Sequence, residues 1–144
     1  MGISLSDLYK KLATYPVKGA YVFLDACFSG GYKSAAPLLA QKGVRVVPKV
    51  GLPQGNTLSF SSSSGDQTSS VYHEKKQGYY TYFLIKTIRD AKGNISMKEL
   101  FDRTSAAVKR ATALIDKIQE PQCMASPTWI GWEDIKLETP VVTP

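Results

Sequence analysis

Apolar side chains recur at helical spacing from the start of the chain. Leu5, Leu8, Tyr9 and Leu12 form one stripe with Ser4 or Ser6 placed to cap it, so residues 4–14 predict a short amphipathic helix. Tyr15-Pro-Val-Lys-Gly19 is a turn, and Tyr21–Ala26, apolar without alternation, predicts a strand buried on both faces. Residues 35–42 predict a second short helix ended by Gly43, and residues 44–56 a mobile, proline- and glycine-interrupted connection holding at most a short strand. Thr57–Ser61 alternates and runs into Ser62–Ser70, a polar cluster that predicts a strand followed by an exposed loop. Tyr79–Arg89 carries Tyr79, Tyr82, Phe83 and Ile85–Ile88 on a helical stripe. Ser96-Met-Lys-Glu99 is a capping box opening a helix through Leu100, Phe101, Val108 and Ile115. Two prolines break Gln119–Pro127, and Thr128–Leu137 reads as a last strand carrying Trp129 and Trp132. Strands alternating with helices make an α/β protein.

Composition narrows this picture little. With 43% apolar and 21% charged residues, the 144-residue chain reads as one globular domain that buries roughly two-thirds of its unfolded surface. No run reaches the length of a membrane span, and the first residues lack the regions of a signal peptide. The net charge of +6 is scattered in pairs such as Lys10-Lys11 and Lys109-Arg110, the pattern of a solvated surface and not of a nucleic-acid site. Two cysteines, Cys27 and Cys123, make no disulfide framework, which favours a reducing, cytoplasmic setting.

The chemistry concentrates where Ala20-Tyr-Val-Phe-Leu-Asp-Ala-Cys27 gives way to Phe28-Ser-Gly-Gly31. A strand that ends in a small, glycine-rich turn delivers its last side chain to the rim of a sheet, where ligand groups of open α/β sheets gather. Cys27 there, two residues after Asp25, is a candidate nucleophile, and a small buried hydrophobe is the plainer alternative. Cys123, in a Gln-Cys-Met context remote from Cys27, reads as packing and not as a resolving thiol. Residues 88–99 match three calcium-loop offsets, but Ile88 stands where Asp is needed and Lys92 would put an ammonium among the ligands. A capped inter-helix turn explains them, and no metal or other cofactor is expected.

Asp25-Ala-Cys27-Phe-Ser-Gly30 resembles the nucleophile segment of caspase-like cysteine peptidases, particularly bacterial and metacaspase-type members. Thr57–Gly65 followed by Gly78-Tyr-Tyr-Thr-Tyr-Phe-Leu84 resembles the next core strand, substrate loop and helix start of that family, and Gln119-Glu-Pro-Gln122 gives a weaker third match. The resemblance implies a three-layer sandwich, a mostly parallel central sheet with helices on both faces, incomplete at its N-terminal side. It divides residues 1–137 into a nucleophile segment (20–31), a connection (32–56) and a second-subunit-like segment (57–137), with 138–144 as tail or linker. It gives Cys27 the nucleophile's role, with its own N–H in the oxyanion hole. It also places Asp25 in a pocket for Arg or Lys at P1, with Ser62, Ser63 and Ser64 along the substrate backbone. Asp25 as a helix cap or loop anchor is the alternative.

The implied activity is an endopeptidase acting through a thioester, with polypeptide substrates and no nucleic-acid or membrane partner. One part is missing. In caspases the paired His lies about 50 residues before the Cys, whereas 26 residues precede Cys27 and the sole histidine, His73, follows it in a charged loop. The expectation is that the His and the first strands belong to an upstream segment, that the isolated chain is inactive, and that an unpaired sheet edge invites self-association. A non-catalytic peptide- or protein-binding module is the other reading. Self-cleavage after Arg45 or Lys49 is expected in an active parent, and Tyr32-Lys-Ser34 offers no carboxylate for calcium.

Overall fold

Ser4 opens the first helix by accepting the Asp7 N–H at 3.1 Å, which settles the choice of cap and starts α1 (Leu5–Ala13). The structure, a computed structural model, describes residues 4–26, 52–64, 67 and 69–137. The helix expected over 35–42, the residues of the connection before Leu52, Cys27, Tyr32–Ser34, the cleavage candidates Arg45 and Lys49, and the tail 138–144 lie outside them. The remaining elements are β1 (Ala20–Leu24), β2 (Thr57–Ser61), β3 (Val71–Tyr72), β4 (Gln77–Gly78), α2 (Tyr79–Asp90), α3 (Met97–Ala113) and β5 (Gln122–Ala125). Single 3₁₀ turns occupy His73–Lys75 and Trp132–Asp134.

Among the described residues the main sheet runs β1-β2-β5, with β1 parallel to β2 and β5 antiparallel to it. The sheet is therefore mixed here. Helices cover both faces, as expected. Leu58 and Phe60 point to one side, where they join Tyr80, Ile95, Met97, Leu100 and Val108 in the core beneath α2 and α3. Thr57 and Ser59 point to the other, where the buried Tyr9 of α1 donates its hydroxyl to Ser59 Oγ at 2.5 Å. Central β2 is thus buried on both faces although its sequence alternates. Its serine side stays polar because a tyrosine hydroxyl satisfies it.

Strand β1 corrects the expectation of two buried faces. Tyr21 and Phe23 are 37% and 39% exposed, while Val22 and Leu24 are half-buried. Among the described residues β1 pairs only with β2, so Phe23 stacks on Phe60 (4.9 Å, 7°) and Tyr21 meets Trp129 from one side alone. The last strand is also corrected. It is Gln122–Ala125, bounded by Pro121 and Pro127, whereas 128–137 turns through Gly131 (φ 84°) into 3₁₀ geometry. Proline is tolerated at the ends of a strand, so here it limits β5 without breaking it.

Between the two long helices, Lys92 and Gly93 adopt left-handed conformations and Ser96 Oγ accepts the Glu99 N–H at 3.2 Å. The capped inter-helix turn is present. The Glu99 carboxylate turns away from the box toward Arg103, 3.5 Å off.

Candidate functional site

Strands β1 and β2 run parallel, so their C-terminal ends emerge together, and the polar residues that follow each strand meet there. The β1–β2 ladder continues one step further as the Ser62 N–H donates to Leu24 O at 2.8 Å. Ser62 Oγ and Ser69 Oγ both reach Ala26 O, at 3.4 and 3.2 Å, and share a short hydrogen bond with each other. Ser63 Oγ reaches Gln67 O and Ser69 Oγ, each at 3.3 Å. Ser62 and Ser63 are buried and Ser64 half-buried, which corrects the expectation of an exposed loop starting at Ser62.

A residue that the sequence did not single out holds this loop. Gln119, 1% exposed, donates from Nε2 to Ser62 O at 2.9 Å and accepts the Ser70 N–H on Oε1 at 2.8 Å. Gln67 repeats the pattern at the surface, accepting the Glu120 N–H at 2.7 Å. The Gln119-Glu-Pro-Gln122 match hinted at the segment but not at a partner 57 residues away.

Asp25 follows β1 directly and is exposed. Its Oδ2 accepts two hydrogen bonds from Thr81, from the N–H at 3.2 Å and from Oγ1 at 2.5 Å. Thr81 is the third residue of α2, whose N-cap, Gly78, has no side chain to offer. Asp25 therefore supplies the capping acceptor from another element, beside the positive end of the helix dipole. Gly78 is required for this approach, because a β-carbon there would collide with Asp25 Oδ2 and lie 2.9 Å from its Cγ. Among the described residues Oδ1 accepts no hydrogen bond. The alternative reading of Asp25 as a helix cap is thus realised through one oxygen, with the other left over.

Nearby, Tyr80 is 2% exposed, and burial pushes its hydroxyl well above the usual tyrosine range, with Cys123 and Asp25 adding to the effect. His73 sits exposed in the turn of the β3–β4 hairpin, which is fastened to α2 by Tyr72 stacked on Tyr79 at 4.6 Å. Among the described residues no group of three or more His, Cys, Asp or Glu side chains could hold a metal ion. No described helix is long and apolar enough to cross a membrane. The groove of about 590 Å³ between α2 and α3, lined by Phe83, Lys86, Arg103 and Arg110 among others, shares no residue with the Asp25 cluster.

The caspase-domain family model (peptidase C14) matches residues 2–128, spanning α1, the Asp25 cluster, both long helices and β5. The chain belongs to the caspase-domain family. No curated protein matches it. Membership fits the mixed sheet covered by helices on both faces, and it makes this a caspase-like cysteine peptidase domain. Cys123 of the caspase domain lies in β5 opposite Phe60, facing the core. Burial, then Asp102 and Glu133, push its thiol up to about 12. A thiol so protonated is a poor nucleophile, in keeping with a packing role.

Two consequences can be measured. Iodoacetamide at pH 8 should leave Cys123 unmodified in the native chain and alkylate it in urea, and equal rates in the two states would contradict the burial. The folded value lies above the ordinary 9.0, so the stability linked to the neutral thiol is complete below about pH 9 and is lost as pH rises toward about 12.

Proposed function

We propose that the chain is the nucleophile-bearing part of a metacaspase-type endopeptidase that cuts polypeptides after Arg or Lys. Cys27 is the nucleophile, and a histidine upstream of Met1 completes the dyad. The observation that carries the reading is the exposed Asp25 carboxylate at the C-terminal end of the sheet. It is anchored through one oxygen, free of hydrogen bonds from the described residues at the other, and two residues before Cys27. A fixed anion at that place suits a cationic side chain entering with the substrate.

In this mechanism the imidazole takes the Cys27 proton, and the thiolate Sγ attacks the carbonyl carbon of the basic residue itself. The Cys27 N–H stabilises the oxyanion that develops. The leaving amine takes the proton from the imidazole as the C–N bond breaks, and water then hydrolyses the thioester. Ser62 and Ser63 turn their hydroxyls inward, and the Ser62 N–H and carbonyl are bonded to Leu24 and Gln119, so a backbone contribution to an extended peptide falls to the residues after Ser62.

The test is covalent labelling with a peptide chloromethyl ketone carrying arginine at P1. The isolated 144 residues should remain unlabelled and turn over no Arg or Lys substrate. The same chain preceded by its histidine-bearing segment should form one adduct, on Cys27, that Cys27→Ala abolishes. No adduct in the presence of that segment would favour the binding-module reading, and turnover by the isolated chain would promote His73.

A further inference from the structure

We infer that Asp25 reads the P1 side chain through a single oxygen, with Thr81 as the positioning residue that imposes this, so the pocket accepts lysine about as readily as arginine. The inference rests on the assignment of Asp25 to the P1 pocket made above.

A carboxylate oxygen offers two lone-pair directions, and a guanidinium fork needs one acceptor on each oxygen, in two parallel N–H···O bonds. At Asp25 the two directions of Oδ2 are taken by the Thr81 N–H and the Thr81 hydroxyl. The Gly78 backbone packs against the same oxygen so closely that no β-carbon would fit between them. Among the described residues only Oδ1 is left without a hydrogen bond, and it is the oxygen offered to a ligand. A compact ammonium is satisfied by one acceptor, whereas arginine loses the geometric advantage that usually distinguishes it from lysine. Thr81 thereby acts on specificity without touching substrate. Its hydroxyl fills the lone pair that a fork would require, while its N–H alone suffices to keep the helix capped.

The experiment compares kcat/KM for matched peptides ending in Arg or Lys at P1, using the protein that includes its histidine-bearing segment. The wild type should prefer arginine by less than about tenfold, since only one oxygen of the carboxylate is offered to either cation. Thr81→Val, which removes the hydroxyl and keeps the shape, should raise the Arg-to-Lys ratio by about tenfold, the effect of one added charge-assisted bond. Thr81→Ser should restore the wild-type ratio. A merely structural role for Thr81 would lower both rates together and leave the ratio unmoved.

Two outcomes overturn the inference. One is a wild-type preference for arginine above about a hundredfold, which a single-oxygen seat cannot supply. The other is a Thr81→Val ratio equal to wild type while Asp25→Asn abolishes both activities, which leaves the pocket assignment standing. Asp25→Asn with both activities intact would instead remove the assignment itself. The wild-type ratio decides the matter even if Thr81→Val fails to fold.

Discussion

Asp25→Asn should lower kcat/KM for Arg and Lys substrates by about a hundredfold or more, the usual result of deleting one partner of a close charge pair. The fold should barely notice. Asparagine ranks with aspartate as a capping residue, so its amide oxygen can take over from Oδ2 in accepting the Thr81 N–H and hydroxyl. Stability within about 0.5 kcal/mol of wild type is therefore expected, against about 1 kcal/mol lost in Asp25→Ala, which removes the cap as well. Thermal unfolding of both variants, set beside steady-state kinetics with the histidine-bearing segment present, separates charge from scaffold. Unchanged turnover in Asp25→Asn would remove Asp25 from substrate recognition and leave it a cap alone.

Gln119→Leu should produce the largest loss of stability of any polar substitution proposed for this chain. Its amide is buried and spans two backbone groups, the Ser62 carbonyl and the Ser70 N–H. Leucine fills similar space but leaves both without a partner, at about 1–3 kcal/mol for each buried group stranded, so a total near 3 kcal/mol is expected. The damage should be local before it is global. Hydrogen exchange at Ser70 should accelerate ahead of exchange in α3, because Gln119 is the buried link between the 62–70 loop and the approach to β5, with Gln67 and Glu120 joining the two at the surface. Urea unfolding that moves by less than about 0.5 kcal/mol would mean that water or neighbouring groups satisfy the loop without Gln119.

Signals local in sequence reappear in the structure. The Leu5, Leu8, Tyr9 and Leu12 stripe with its serine gives α1, and the Ser96 cap gives α3. What escaped depends on residues brought together from afar. Ser62 and Ser63 read as surface because serines are polar, yet the loop's own hydroxyls and a glutamine 57 residues from Ser62 make them a satisfied interior. Two prolines around Gln122–Ala125 read as a break, whereas a four-residue strand fits between them. The uninterrupted apolar run of β1 promised burial on both sides, but cover on the Tyr21 and Phe23 side depends on what packs beside Phe60 and Trp129. For Asp25 the sequence held both readings open, substrate pocket or cap. The geometry bonds one oxygen to Thr81 and, among the described residues, leaves the other without a hydrogen bond.

In the proposed reading, that division ties specificity to foldability. Any replacement at position 25 other than asparagine will also weaken or withdraw the acceptor that starts a twelve-residue helix, so selection for new substrates will be filtered by folding. Retuning should succeed when positions 78 and 81 are varied with it: a helix given its own serine or aspartate at 78 releases position 25 to become neutral or apolar.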